Sequence, residues 1–174
     1  MSKRIIQVVP YDSAWPQQFK CEAENLSRAL SNISCNIEHI GSTSVPGLAA
    51  KPIIDILISV NCFKVFDLQQ SNLVSLGYEA KGEFGIAGRR YFQKGGNQRT
   101  HHVHVYQKGN EHVIRHIAFR DYLIANTDIA VAYQKVKLSA VQLCNNDSEQ
   151  YQALKNDFIR HHQSKALRSI KRTC

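Results

Sequence analysis

Residues Glu38 to Val60 read EHIGSTSVPGLAAKPIIDILISV, a turn-rich segment between two apolar runs. The second run, from Ile53 to Val60, has the β-branched composition of a buried strand, yet it carries one carboxylate, Asp55. Because residues two apart in a strand share a face, Asp55 and Leu57 point one way, and the other way point Ile54, Ile56, Ile58 and Val60. A carboxylate in such apolar surroundings needs a cation, a metal or several hydrogen-bond donors. The alternative is an aspartate that caps the loop or pairs with Lys51 or an arginine.

The segment before this strand contains a second informative group, Gly41-Ser42-Thr43-Ser44. Glycine flexibility, backbone N–H groups and hydroxyls are the ingredients of a phosphate or oxyanion cradle, with Gly41, Ser42 and Thr43 as the contacts and Lys51 as a nearby cation. The order of a P-loop is absent. A plain tight turn uses the same residue types, so the turn alone is weak support for a ligand site.

Composition places the chain among ordinary globular proteins. Its 174 residues are 43% hydrophobic and 21% charged, which predicts one domain over residues 1–174. No run is apolar enough to cross a membrane, and the first residues lack the apolar core of a signal peptide. The cysteines are odd in number and show no paired spacing, which predicts free thiols in a reducing cytoplasm. They are Cys21, Cys35, Cys62, Cys144 and Cys174.

The net charge of +8 suggests an anionic partner. Part of that charge is local, because the chain ends in SKALRSIKRTC, which we interpret as a solvated or frayed basic tail from about residue 163. The chain shows no aromatic and basic platform of the kinds that bind RNA, so a nucleic-acid partner is not expected.

Hydrophobic periodicity predicts an α+β (mixed α/β) fold in which a mixed sheet with flanking helices precedes a helical segment. The predicted strands are Ile5–Val9, Cys35–Ile40, Ile53–Val60, Tyr78–Lys81, Arg90–Gln93 and His101–Tyr106. The predicted helices run from Asp12 or Ser13 to about Leu30, from Phe63 to Leu76, from Glu111 to about Ala125, from the Asn126-Thr127-Asp128 cap, and from about Ser148.

A histidine-rich strand follows at Arg99 to Tyr106, RTHHVHVY. Alternation places His102 and His104 on one face, and two imidazoles at this spacing can reach one metal ion. Asp55 on a neighbouring strand would complete a set that suits zinc, manganese or iron better than bare magnesium. We therefore expect Asp55, His102 and His104 to be the catalytic or metal-binding residues, with a divalent metal (Mg, Mn or Zn) as cofactor. The alternative is that the histidines bind phosphate or merely share hydrogen bonds on a half-exposed face.

Two arginines are further candidates for phosphate contacts. Arg90 lies in the segment GRRYF, where an arginine could fork onto a phosphate or could pair with Glu79 or Glu83. Arg120 lies in the predicted helix after the histidine strand, where a solvated helix face explains most such charges.

The segment EHIGSTSVPGLAAKPIIDILI resembles the GrpB family, a group with a nucleotidyltransferase-like fold. The resemblance continues through GRRYFQKG, RTHHVHVY, HIAFRDYL and YQALKNDFI and covers about residues 10 to 161. It implies a Gly-Ser turn that holds phosphate and strand carboxylates that hold metal. Some relatives look like domains fused to dephospho-coenzyme A kinase, which suggests a nucleotide or coenzyme A ligand.

The sequence departs from the wider superfamily at one position. Active members of the nucleotidyltransferase superfamily, which this chain resembles, usually carry two carboxylates on one strand, two residues apart. Here the residue two after Asp55 is Leu57, which cannot bind an ion. Three functions follow as expectations. The leading one is a nucleotidyltransferase-like protein that binds a nucleotide or another phosphorylated small molecule. The alternatives are a metal-dependent phosphoester hydrolase and a non-catalytic nucleotide or coenzyme A-binding module.

Overall fold

The structure is a computed structural model that describes residues 5–173, with side chains through residue 170. Its centre is a five-stranded mixed sheet in the order β1-β2-β5-β4-β3. The pair β2 and β5 is parallel and every other neighbouring pair is antiparallel. The strands are β1 Cys35–Ile40, β2 Ile54–Val60, β3 Tyr78–Ala80, β4 Arg89–Lys94 and β5 His101–Gln107.

Helices α1 and α2 precede the histidine strand, and three helices follow it in the described chain. This arrangement confirms the α+β prediction. The helices are α1 Trp15–Ala29, α2 Phe63–Ser75, α3 Glu111–Ala125, α4 Thr127–Leu143 and α5 Ser148–Thr173. A short 3-10 turn, Ser42–Ser44, lies between β1 and β2. None of the helices within residues 5–173 combines the length and apolar character needed to cross a bilayer.

The main core lies between the sheet and the first two helices. The alternate residues of β2, Ile54, Ile56, Ile58 and Val60, are buried there together with Leu26 of α1 and Phe66 of α2. Burial of these side chains is the main source of favourable free energy for this layer. The alternation predicted for β2 is therefore confirmed, and it turns Asp55 towards the opposite face of the sheet.

The opposite face is covered by the helical segment. Leu57 and Tyr106 pack with partly buried residues of α3, including Ile117. The loop after the 3-10 turn packs on α4 through Leu48 and Tyr133. Two hydrogen bonds connect the loop after the 3-10 turn to α4. Gln134 Oε1 accepts from the Ala49 N–H at 2.9 Å, and Lys137 Nζ donates to the Ala49 carbonyl.

Some predicted boundaries are wrong. Ile5–Val9 is not a strand, because in the described chain only Val9 is paired there, through an isolated antiparallel bridge to Ala50. Helix α1 begins at Trp15 with Ala14 as its N-cap, although Asp12 Oδ1 accepts a hydrogen bond from the Ala14 N–H at 2.8 Å.

The basic stretch from about residue 163 continues helix α5, and Ala166 within it is buried, so the described part of this stretch is not a frayed tail. Cys21, Cys35, Cys62 and Cys144 are free thiols, as predicted. The fifth cysteine, Cys174, lies outside the described residues.

Candidate functional site

The parallel pairing of β2 with β5 brings the predicted site residues together. Asp55 is paired with His102, and Leu57 with His104. On the other side of β5, strand β4 pairs Tyr91 with His104. Paired residues of neighbouring strands project from the same face of the sheet. These side chains therefore form one cluster on the face that α3 covers.

Asp55 is the centre of this cluster. Its Oδ1 lies 3.1 Å from Nδ1 of His102 and 3.8 Å from Nε2 of His104. Burial alone would raise the pKa of Asp55, but the hydrogen bonds and charges of the two histidines outweigh burial and hold that pKa below its usual range. Burial lowers the pKa of His104 despite the opposing attraction of Asp55. The site thus contains an ionised carboxylate faced by two imidazoles.

Each of these imidazoles has one nitrogen without a partner. Nε2 of His102 and Nδ1 of His104 are buried, and neither has a hydrogen-bond partner among the described residues. The Tyr91 ring lies 5.6 Å from the His102 ring and 5.1 Å from the His104 ring, and the His116 ring of α3 lies 5.5 Å from that of His104. A buried polar atom without a partner is costly, so these nitrogens are the atoms a ligand would satisfy.

Gly41 is packed directly against the carboxylate. Its backbone has φ +73° and ψ −172°, a conformation that is essentially restricted to glycine. A Cβ at this position would lie 2.6 Å from Asp55 Oδ2. The structure therefore explains the glycine of the Gly-Ser turn by close approach to Asp55.

The hydroxyls of the turn have local partners. Thr43 is buried, donates to the Ile53 carbonyl at 3.4 Å and lies 3.0 Å from Nε2 of His39. Ser42 lies close enough to Tyr133 of α4 for its side chain to oppose the rise that burial causes in the pKa of that tyrosine. Thr43 therefore has a structural role in the turn, whereas Ser42 lies beside the helical segment.

The three residues expected to hold a metal contact one another in this structure. One carboxylate and two imidazoles suit a transition metal. Within residues 5–173, however, no group of three or more His, Cys, Asp or Glu side chains is placed to hold a metal ion. The ring nitrogens that face Asp55 are at hydrogen-bond and ion-pair distance from the carboxylate itself. Metal binding at this site stays a prediction.

The structure does not bring Arg90 and Arg120 to this cluster. Arg90 lies on the other face of β4 and forks onto Asp67 of α2, with both N–O distances at 2.9 Å. Its partner is thus neither Glu79 nor Glu83. Arg120 donates to Glu38 at 2.8 Å and to the His39 carbonyl at 3.0 Å, which ties α3 to β1.

Lys51 is placed at the edge of the helical segment. Its Nζ lies 4.7 Å from the centre of the Tyr151 ring of α5. Two buried lysines that were not predicted as site residues, Lys137 and Lys155, lie nearby. A signal was present, because each follows a tyrosine by four residues and so falls on the same helix face as that tyrosine.

A surface depression of about 350 Å³ lies elsewhere, beside α1. Its lining includes Gln17, Glu22 and His101. Because His101 points away from the face that carries His102 and His104, this depression is not part of the candidate site.

Comparison with known proteins establishes the family. The family described as GrpB protein matches residues 5–165, so the chain belongs to the GrpB family. It is 43% identical over 166 residues to UPF0157 protein YqkA of Bacillus subtilis, which covers 95% of this chain and 48% of YqkA. The chain thus spans about half the length of that relative. The crystal structure of conserved protein GrpB from Enterococcus faecalis matches with a TM-score of 0.89 and 44% identity, over 94% of this chain and 99% of that one.

More distant similarities support the nucleotidyltransferase-like fold and the relation to dephospho-CoA kinases. A cytoplasmic RNA terminal U-transferase matches with a TM-score of 0.52 at 13% identity, over 74% of this chain and 40% of that one, which shows a nucleotidyltransferase-like fold and nothing finer. A dephospho-CoA kinase of Mycolicibacterium paratuberculosis is 29% identical over 180 residues, covering 89% of this chain and 44% of the kinase. The predicted relation to such kinases is confirmed.

Proposed function

We propose that this protein binds a nucleotide or another phosphorylated small molecule between the Gly41–Ser44 turn and the Asp55–His102–His104 cluster. The observation that carries the proposal is the pair of buried, unpartnered imidazole nitrogens on His102 and His104, beside a carboxylate packed against Gly41. The comparisons add support, because the more distant relatives are named for action on RNA ends or on dephospho-coenzyme A.

His102 is the residue best placed to contact a phosphate. Its Nδ1 faces Asp55, so in the neutral ring that nitrogen carries the proton and Nε2 is an acceptor. With a proton on each ring nitrogen, Nδ1 donates to Asp55 and Nε2 donates to an anionic oxygen. The same pair can therefore bind phosphate or move one proton to or from it.

Ligand binding is better supported than metal-dependent nucleotidyl transfer. Leu57 occupies the position of the second strand carboxylate, and it is buried with Ile40 and Tyr106. An apolar side chain in that position cannot hold one of the two ions that in-line displacement between metals needs. The cytoplasmic location expected from the free thiols stays a prediction.

A divalent metal at Asp55, His102 and His104 remains a separate proposal. These residues would hold it only after both rings leave their contacts with the carboxylate. Asp55→Asn keeps the shape and removes the charge, so titration of the parent and this variant with Mn²⁺ tests it. Absence of Mn²⁺ binding by the parent would refute the proposal.

The ligand proposal is tested by thermal unfolding with ATP, UTP, coenzyme A and dephospho-coenzyme A. A ligand that binds only the folded state raises the unfolding temperature, and the added stability grows with the logarithm of the ratio of its concentration to Kd. We expect at least one of these compounds to do so in the parent protein and in His101→Ala, a control on the same strand but the opposite face. We expect His102→Ala to lose the effect. Equal shifts in His102→Ala and the parent would place the ligand elsewhere, and no shift with any compound would refute the proposal.

A further inference from the structure

Two lysines of the helical segment are buried next to tyrosine rings. Lys137 on α4 is 2% exposed and Lys155 on α5 is 6% exposed. Nζ of Lys137 lies 4.8 Å from the centre of the Tyr133 ring, and Nζ of Lys155 lies 4.2 Å from that of Tyr151. Lys51 approaches the Tyr151 ring as well. Three cations thus share one region of the protein; we name Lys51, Lys137 and Lys155 the lysine cluster.

Neither buried lysine, Lys137 or Lys155, forms an ion pair with a carboxylate in the described part of the chain. Lys137 donates to the Ala49 carbonyl, whereas the contact that the structure shows for the Lys155 ammonium is the Tyr151 ring. A buried cation without an anion is unfavourable unless something else compensates it. A bound anion would supply Lys155 with the ion pair that the described chain does not give it.

The lysine cluster is connected to the candidate site. The Tyr133 ring that Lys137 contacts packs in one cluster with Val45 and Leu48, which follow the Gly-Ser turn. Asp55 acts electrostatically on both Tyr133 and Lys155, so the carboxylate and the lysines are close enough to influence each other. Lys137 also donates to the Ala49 carbonyl in the loop that follows the turn, so this lysine lies beside the segment that leads to the candidate site.

We propose that the lysine cluster is an anion site for the terminal phosphate groups of the bound ligand, so the preferred ligands carry a diphosphate or longer chain. The inference deepens the proposed function and rests on it, since it assigns a ligand class to the same site. Multiple cations around one polyphosphate are more favourable than around a single phosphate, because each added negative charge satisfies another buried ammonium group.

The state of the lysines adds a dependence on pH. Burial, with the charge of Lys155, lowers the pKa of Lys137 to about 7. Burial, with the charge of Lys51, lowers the pKa of Lys155 to about 7 against the opposing effect of Asp55. Burial raises the pKa of Tyr133 and of Tyr151, the latter also through Cys144, so both rings stay neutral near pH 7. An anion favours the protonated lysines, so its binding takes up protons above pH 7.

Calorimetric titration with inorganic pyrophosphate tests the inference on the full chain. We expect Lys155→Met to lower pyrophosphate affinity by about tenfold or more, as loss of a charged hydrogen bond does. Lys135→Met, an exposed lysine on α4, is the matched control and should bind as the parent does. Lys155→Met also removes a buried charge, so its unfolding temperature should not fall.

The pH series gives a second readout. From about pH 6.5 to about pH 8.5 pyrophosphate becomes more negative, so lysines that stayed charged would bind it more tightly. The lysine cluster predicts the reverse, a weaker affinity at the higher pH. Tighter binding at the higher pH, or equal affinity in Lys155→Met and the parent, would overturn the inference.

AMP separates this inference from the proposed function. We expect AMP binding to require His102. We expect the affinity of Lys155→Met for AMP to lie within about twofold of the parent's affinity, because AMP lacks the outer phosphates that the lysine cluster would contact. AMP binding that needs His102, together with pyrophosphate binding that ignores Lys155, would refute the lysine site and leave the proposed function intact. Absence of binding by pyrophosphate and by every nucleotide would refute both.

Discussion

Asp55 sets the electrostatics of the candidate site at the scale of single residues. It is the carboxylate that His102 and His104 share, and it acts on His39, Tyr91, His116 and Lys155 as well. A charge that several groups share cannot be removed without changing the pKa of each of them. Asp55→Asn should therefore alter more than one hydrogen bond, and variants of single histidines locate a ligand more cleanly.

Gly41→Ala tests the close approach between the turn and Asp55. The added methyl would meet Asp55 Oδ2 at 2.6 Å, and the backbone would have to keep φ +73°. We expect a loss of at least about 2 kcal/mol in the free energy of unfolding. Denaturation by urea measures the loss.

Gly47→Ala is the control for this variant. Gly47 has a similar φ of +78°, but nothing lies within 4 Å of its added Cβ, so only backbone strain of about 1 kcal/mol is expected. An Asp55→Ala background should reduce the cost at Gly41, because the clashing atom is then gone. Equal costs at both glycines would show that the approach to Asp55 does not matter for stability.

At the scale of elements, the Arg120 side chain connects α3 to β1 through hydrogen bonds. Its guanidinium is 17% exposed and contacts Glu38, the His39 carbonyl and Asp121. The helix that it holds carries His116, which packs against His104. Arg120 therefore helps to hold α3 over the histidine strand without contacting Asp55, His102 or His104 itself.

Arg120→Met should lower the free energy of unfolding by about 1–3 kcal/mol, because it leaves Glu38 and a backbone carbonyl without their donor. Asp121→Asn is the control, and since Asp121 is largely exposed we expect a change below about 0.5 kcal/mol. Urea denaturation compares the variants. AMP affinity of folded Arg120→Met should match the parent, and a large loss of affinity would restore Arg120 as a ligand contact.

At the scale of the whole molecule, partly buried histidines with lowered pKa values make the stability of the fold fall in acid, and His39 and His116 have the clearest shifts. Burial, with the charge of His104, lowers the pKa of His116 from 6.5 to about 3, and burial lowers that of His39 from 6.5 to about 4. Below about pH 6.5 the unfolded chain therefore binds more protons than the folded chain, and the folded state loses stability as pH falls from about 6.5 towards 4. The Asp55 carboxyl, whose pKa is lowered, contributes stability that is lost only below its unfolded value of 3.8.

His116→Phe should flatten this acid dependence. Between about pH 7 and about pH 5 we expect the variant to lose about 1–2 kcal/mol less of its free energy of unfolding than the parent does. Urea denaturation at the two pH values gives the difference. His161→Phe, at an exposed position of α5, should keep the slope of the parent. An unchanged slope in His116→Phe would mean that this histidine is not buried as a neutral group.

Local sequence pattern was sufficient to predict most of the helices and strands of this protein. It also predicted the strand faces on which the central residues of the candidate site lie. The period-two alternation of β2 and β5 assigned Asp55, His102 and His104 to defined strand faces, because side-chain direction in a strand follows from position alone. The Gly-Ser turn and the family resemblance then predicted the nucleotidyltransferase-like fold. Errors were confined to places where local pattern is weak, such as the edge segment at Ile5–Val9 and the helical continuation past residue 163.

Only the tertiary structure decided which charged groups meet. Arg90 and Arg120 look like phosphate contacts in the sequence, yet Asp67 and Glu38 engage them, because the partner of an arginine is set by the packing of distant elements. In the sequence Lys137 and Lys155 look like ordinary exposed helix charges, yet both are buried in the structure, where α4 and α5 pack against the loop that follows the Gly-Ser turn. Sequence determines which face of an element a residue occupies, whereas burial and charge pairing depend on long-range contacts that no local pattern contains.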